Sequence, residues 1–115
     1  MAMNKPKALS PAEARQAIDR LIENPATLRL TSHVRGRMRE RHFTVDDVLR
    51  VLRHGRIGLA PKWDEKTAEW KYTIGYRDLD GDPLTLVIAI ADQITVITGH
   101  DEGNVLRTSS LFRVR

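Results

Sequence analysis

The first half of the chain spaces its apolar residues as in an amphipathic helix. A helix start is marked by Ser10–Glu13, which provides a Ser cap, a Pro at the first helical position and a Glu three residues after the Ser. The apolar stripe that follows consists of Ala14, Ala17, Ile18, Leu21 and Ile22. Because Asn24-Pro25 interrupts the pattern, the sequence predicts a first helix over residues 10–24.

Two further helices are predicted between Thr31 and Gly55. Thr31-Ser32 supplies a cap for a helix that runs to about Arg41. The segment Thr44–Asp47 resembles a second capping pair, and Gly55 stands where glycine commonly terminates a helix. The apolar stripe of this third helix consists of Val45, Val48, Leu49 and Leu52.

After Gly55 the apolar period changes from helical to alternating, which is typical of strands. One alternating strand carries Trp70, Tyr72, Ile74 and Tyr76. Leu84–Ala91 is a nearly continuous apolar strand that we expect inside the sheet, and Ile94–Thr98 follows it. The charge-rich stretch Trp63–Ala68 is interpreted as an exposed hairpin loop. Helices followed by strands predict an α+β domain, with two or three N-terminal helices before an antiparallel sheet of about four strands.

Composition excludes several classes of protein. The 115 residues include no Cys, which excludes disulfides, thiolate zinc sites and Cys nucleophiles. The longest apolar run, Leu86–Ala91, is far shorter than the roughly 20 residues of a membrane helix, so we expect a cytoplasmic protein without a membrane partner. The sequence predicts a flexible leader over residues 1–9 and one domain over residues 10–115. The tail of this domain, Asp101–Arg115, either adds an edge strand or stays mobile.

Charge is distributed unevenly along the chain. The net charge is +4, with 12 Lys and Arg against 6 Asp and Glu in residues 1–60, and 7 against 9 in residues 61–115. Such an asymmetry favours an oriented anionic partner, of which RNA and DNA are the commonest. The alternative is that the arginines only solvate helices and pair with neighbouring carboxylates. No metal site and no cofactor are expected, because the four His are scattered and no glycine-rich phosphate loop is present.

The second predicted helix carries the candidate chemistry. At helical spacing, His33, Arg37 and Arg41 form one tilted stripe, and Val34 and Met38 lie beside it. The stripe therefore borders the buried face, where two guanidinium groups can hold phosphate oxygens and an imidazole can move a proton. The alternative, which spacing alone favours, is that the imidazole bonds the backbone and the arginine stems cover apolar surface.

The end of the last strand offers further candidates. Strict alternation puts Thr98 and His100 on the same face as Val96, where both could bind phosphate or protonate a leaving oxygen. Alternatively, Thr98 only packs and His100 is a loop residue. The candidates for nucleic-acid contact are Arg35, Arg39, Arg53 and His100.

The segment His33–Val48 resembles the His-x-x-x-Arg-Met-x-x-Arg opening of a small bacterial family of domains of unknown function. The strand Trp70–Tyr76, with its Trp-Lys-Tyr-x-x-Gly-Tyr pattern, and a last strand ending in Ile97-Thr98 extend the likeness over about residues 30–99. His42 stands where the family more often has Gly.

Such domains are similar to RelE-like and barnase–colicin-type toxin ribonucleases, which place two helices before a curved antiparallel sheet. Those proteins cleave RNA without metal, with the ribose 2′-hydroxyl as nucleophile. The resemblance implies His33 as acid or base, Arg37 and Arg41 as phosphate holders, and Thr98 as a contributor from the strand. The expected function is therefore that of a metal-independent, RNA-cleaving, toxin-like protein.

Two alternatives to this enzyme remain. The first is a non-catalytic module that grips nucleic acid or an acidic protein through the arginine-rich helix, with binding that weakens steeply as salt rises. The second is a regulatory partner whose basic stripe is covered by an acidic antitoxin or immunity-type protein.

Overall fold

Three helices occupy the N-terminal half of the computed structural model, which describes residues 5–100. Helix α1 spans Pro11–Leu21, α2 spans Ser32–Arg41 and α3 spans Val45–His54. A single 3-10 turn, Pro25–Thr27, follows α1. The three predicted helices are confirmed, and α1 ends slightly earlier than the apolar pattern predicts.

Both predicted capping pairs are formed. The Ser10 hydroxyl accepts from the N–H of Glu13, whose carboxylate accepts from the N–H of Ser10. Thr44 and Asp47 bond each other in the same way at the start of α3. The other carboxylate oxygen of Asp47, a residue 6% exposed, accepts from the N–H of Leu79 at 2.8 Å. The cap of α3 is therefore also tied to the turn between two strands.

The six strands are β1 (Leu28–Leu30), β2 (Arg56–Ile57), β3 (Lys62–Asp64), β4 (Glu69–Arg77), β5 (Pro83–Ile90) and β6 (Ile94–His100). They form one mixed, open sheet in the order β1-β6-β5-β4-β2, with β3 paired to β4. Strand β1 runs parallel to β6, and the other pairings are antiparallel. The α+β class is confirmed; the sheet has six strands where about four are predicted, and β1 is parallel to its neighbour β6.

The additional strands are short, which explains why alternation did not reveal them. Strands β1 and β3 have three residues each and β2 has two. Part of the expected loop Trp63–Ala68 belongs to β3, in which Trp63 lies opposite Trp70. The two indole rings meet edge to face, with centroids 5.4 Å apart.

Strand β6 contains one extra residue relative to β5. Ile88 lies opposite Val96, whereas Val87 lies opposite Thr98, so Ile97 has no partner in β5. This is a β-bulge, which reverses the alternation of side chains beyond it.

The bulge changes which residues of β6 face the core. A side chain at Gly99 would point at Phe43, so Gly99 faces the helices. Thr98 and His100 consequently lie on the other side of the strand, and not on the face of Val96 as strict alternation predicts.

The core lies between the three helices and one face of the sheet. Its fully buried members include Ile18 from α1, Val51 from α3, and Ile74, Leu86 and Val96 from the sheet. Helix α2 contributes a single buried residue, Val34. The position of α2 therefore depends on more than apolar packing.

Residues 5–9 of the predicted leader lie against β4. The Trp70 indole donates to the Pro6 carbonyl at 2.6 Å, and the Leu9 N–H donates to the Tyr72 hydroxyl at 2.9 Å. The prediction for Asp101–Arg115 lies outside the described residues. Within residues 5–100, no helix has the length and apolar character needed to cross a membrane.

The packing at Gly99 yields a test with an internal control. A Cβ at Gly99 would lie 2.6 Å from the Phe43 ring, so Gly99→Ala should lower the free energy of unfolding by about 1–3 kcal/mol. Gly36 lies within α2, where a Cβ would meet nothing nearer than an Arg39 nitrogen at 4.0 Å. Gly36→Ala should therefore raise the free energy of unfolding by about 0.5–1 kcal/mol. Urea denaturation measures the free energy of unfolding of both variants. Changes of the same sign and size in the two variants would contradict this packing.

Candidate functional site

Thr31 joins α2 to strand β6. Its N–H donates to the Val96 carbonyl at 3.2 Å, and its hydroxyl donates to the Ile97 carbonyl at 2.9 Å. The same hydroxyl accepts from the N–H of Val34 at 3.1 Å and so caps the helix. Strand β1 pairs only with residues 94–96 of β6. After Val96, the edge of β6 is contacted by α2 and its cap residue and not, within residues 5–100, by another strand.

This placement brings His33 to the edge of the sheet. Its Nε2 lies 3.1 Å from the Thr98 hydroxyl, although the two residues are 65 positions apart in sequence. His33 is exposed and Thr98 is half-buried. The imidazole is thus held by a hydrogen bond on one side and open to solvent on the other.

Arg37 is held on the same edge, one helical turn after His33. Its Nε donates to the Gly99 carbonyl at 3.3 Å, and one terminal nitrogen lies 3.8 Å from a carboxylate oxygen of Glu40. The Arg37 side chain is 25% exposed, whereas that of Glu40 is 68% exposed. An ion pair this long and this exposed contributes little stability, so the guanidinium is positioned mainly by the strand.

Arg41 and His100 extend this site at its exposed margin. Arg41 is exposed and continues the helical stripe of His33 and Arg37. His100 is exposed and lies two residues beyond Thr98, on the same side of β6. The structure therefore places His33, Thr98 and Arg37 along one strand edge, with His33 bonded to Thr98 and Arg37 bonded to the Gly99 carbonyl. Within residues 5–100, the side chains of Arg41 and His100 form no such bond.

The other candidate arginines lie elsewhere. Arg35 and Arg39 project from the opposite flank of α2, and the Arg35 Nε donates to the Leu30 carbonyl at 3.3 Å. Arg53 of α3 faces the same region as Arg35. The helical spacing of residues 35 and 39 could have indicated this division, since they lie about 200° and 240° around the helix from His33.

These arginines border an apolar groove. One compartment, of about 510 Å³, lies between the end of α1, β1 and α3. A second, of about 360 Å³, adjoins it and shares Leu30, Arg35 and Val45 in its lining. The two compartments, here called the arginine groove, carry Arg29, Arg35, Arg39 and Arg53 around an apolar floor that includes Leu30, Val45 and Leu49. Sequence reasoning missed this groove because β1 and the 3-10 turn form part of its wall.

Within residues 5–100, no group of three or more potential metal ligands comes together. Carboxyls with shifted pKa values lie outside the site. Burial raises the pKa of Asp78, and a hydrogen bond from Lys71 lowers the pKa of Asp64. The site on β6 combines the His33 imidazole, the Thr98 hydroxyl and the Arg37 guanidinium with one carboxylate, that of Glu40 at 3.8 Å from Arg37. Arginine is the member of this set that is suited to an anionic ligand.

Comparison with known proteins identifies a family for most of this unit. The family model described as a domain of unknown function (DUF4258) matches residues 30–98, from the last residue of β1 to Thr98. The match includes α2, α3 and nearly all of the sheet, and it excludes α1. Neither a curated protein nor a solved structure matches the chain.

The role of Thr31 can be tested by two substitutions. Thr31→Ala removes the cap and the bond to Ile97, so we expect a loss of about 0.5–2 kcal/mol in the free energy of unfolding. Thr31→Ser retains the hydroxyl and should recover most of that loss. Chemical denaturation measures the stability, and the NMR signals of the His33 ring report whether the site moves. An unchanged ring environment in Thr31→Ala would contradict the proposed anchoring.

Proposed function

The chain belongs to the DUF4258 family of domains of unknown function, and we propose that it is a ribonuclease that cleaves RNA without a metal ion. The observation that carries this proposal is the contact of His33 with Thr98 at 3.1 Å, beside the strand-bound guanidinium of Arg37. A proton-transfer group and a fixed cation within one site are the elements that attack by a ribose 2′-hydroxyl requires.

His33 is the proposed general base. In the tautomer with hydrogen on Nε2, that N–H donates to the Thr98 hydroxyl oxygen, and the lone pair of Nδ1 is free to accept a proton. Thr98 then orients the ring, as the third group of a catalytic triad orients its base. The proton comes from the 2′-hydroxyl, whose oxygen attacks the adjacent phosphorus.

Arg37 and Arg41 are the proposed phosphate ligands. The Nε of Arg37 is occupied by the Gly99 carbonyl, and its terminal nitrogens, one of which has only a long and exposed ion pair with Glu40, can donate to phosphate oxygens. Those contacts strengthen as negative charge builds up on the pentacoordinate phosphorus. The N-terminus of α2, next to His33, adds the favourable end of a helix dipole.

The leaving 5′-oxygen takes its proton from His100 or from water. Bond formation by the 2′-oxygen and loss of the 5′-oxygen leave a 2′,3′-cyclic phosphate on one fragment and a 5′-hydroxyl on the other. The exposure of His100 at the end of β6 is compatible with contact to a long polymeric substrate.

A second candidate function is nucleic-acid binding without cleavage. Exposed arginines occur on both flanks of α2, which favours electrostatic binding over a broad surface. In that case each Arg→Ala substitution should weaken binding by a similar factor, and the affinity should fall steeply with salt.

The decisive experiment is incubation of the protein with end-labelled RNA in EDTA. His33→Ala should reduce the cleavage rate by about 10²–10⁴-fold because it removes the general base. His54→Ala is the matched control, since His54 is exposed and lies at the end of α3, away from this site. Chromatography of the products identifies the cyclic-phosphate ends.

A folded His33→Ala protein that cleaves at the wild-type rate would refute the mechanism. Salt-sensitive RNA binding with no product would favour the binding function instead. Melting temperatures of the wild type, His33→Ala and His54→Ala distinguish loss of catalytic activity from loss of the folded structure.

A further inference from the structure

The arginine groove lies on the opposite flank of α2 from His33 and takes no part in the proposed cleavage. We propose that it binds an acidic amphipathic helix of a partner protein. Apolar side chains of that helix enter the two compartments, and its carboxylates pair with the arginines on the rim.

The floor of the arginine groove supplies the apolar part of this interaction. Val45 lines both compartments and is 43% exposed, so its side chain is available to an apolar partner. Leu30 and Leu49 beside it are only half-buried. The two compartments adjoin through Leu30, Arg35 and Val45, so one bound helix could place neighbouring apolar anchors of the same face in both.

The rim supplies the charge. Arg29, Arg35, Arg39 and Arg53 line the arginine groove, and within residues 5–100 no carboxylate lines it. The ion pairs of the described chain involve other cations, namely Arg15, Arg37 and Lys71. The groove therefore presents four arginines that form no ion pair within residues 5–100, although Asp46 lies near Arg53 in an adjoining pocket. An acidic partner complements this excess of positive charge.

An acidic protein fits this surface better than RNA does. Single-stranded nucleic acid is usually held by bases stacked on exposed aromatic rings. The aromatic residue of the described lining, Phe43, is 5% exposed and packs against Gly99. Phosphates and riboses also gain nothing from an aliphatic floor, whereas leucine-like anchors do.

The proposal is independent of the ribonuclease proposal. None of the rim arginines contacts His33 or Thr98. Absence of RNA cleavage would leave the partner site unaffected, and absence of peptide binding would leave the cleavage mechanism unaffected.

The probe is a fluorescein-labelled helical peptide with leucines at i, i+3, i+4 and i+7 and glutamates at the other positions. Fluorescence anisotropy against the full chain measures its dissociation constant. Two comparison peptides are a scrambled sequence, which disperses the leucines around the helix, and a version with lysine in place of glutamate. We expect binding of the first peptide alone, weakened by added salt.

Three protein variants locate the binding. Val45→Glu puts a negative charge on the floor, and because it lies at the first position of α3 the acid is compatible with the helix. Arg35→Glu reverses a charge shared by both compartments. Each should weaken binding by about tenfold or more. Lys62→Glu, an equal charge reversal at an exposed position on β3, should leave binding unchanged.

Failure of the acidic peptide to bind would overturn the proposal. Equal binding of the scrambled or lysine peptide, or equal weakening by Lys62→Glu, would also overturn it, because the attraction would then be non-specific. A labelled RNA oligonucleotide that displaces the peptide and loses affinity in Val45→Glu would assign the groove to nucleic acid instead. Circular dichroism of each variant verifies that the fold is retained.

Discussion

Thr31 connects β1, α2 and β6 through its position in the chain, its backbone N–H and its side-chain hydroxyl. It directly follows β1, caps α2 and bonds two successive carbonyls of β6. Hydrogen bonds of this kind contribute about 0.5–1.5 kcal/mol each, which is modest for the whole domain. They matter more here because α2 buries only Val34, and a helix that is polar nearly all round has little apolar packing to hold it.

The C-terminal end of α2 is fixed by a left-handed turn at His42. His42 ends the helix with φ 60°, in the left-handed region that favours glycine. This turn directs Phe43 into the core against Gly99, where there is no room for a Cβ. A glycine at this position would adopt the same backbone angle without the steric cost that a side chain adds. Both ends of α2 are thus held against β6, through Thr31 and through Phe43. This fixes the position of His33 and Arg37, which lie between the two ends.

Local signals in the sequence were sufficient for the helices and the long strands. The pairs Ser10–Glu13 and Thr44–Asp47 act within four residues, so their hydrogen bonds could be predicted without knowledge of the fold. The parallel pairing of Leu28–Leu30 with β6 joins segments far apart, and three residues are too few to show alternation. The bulge at Ile97 is also set by pairing with β5, and it moves Thr98 away from the face that alternation predicts.

The candidate site likewise combines features that local sequence predicts with features that depend on long-range contacts. The stripe of His33 and Arg37 follows from helical spacing, but the contact with Thr98 depends on how α2 docks on the strand edge. Helical spacing alone also leaves open which flank of α2 meets the sheet. The docking assigns Arg35 and Arg39 to a separate surface, whose wall includes a 3-10 turn and a strand without local signals.

The distance in sequence between His33 and Thr98 affects when the site exists during protein synthesis. The helices leave the ribosome first, whereas β6 is the last of the described strands to emerge. Domains fold largely as units once their segments are available. A growing chain that has not yet exposed residues 94–100 therefore carries the basic helix but lacks the strand that orients its histidine. The His33–Thr98 pair forms only after β6 has been translated and has left the ribosome. While the chain is shorter than that, it is next to the ribosome without an assembled site.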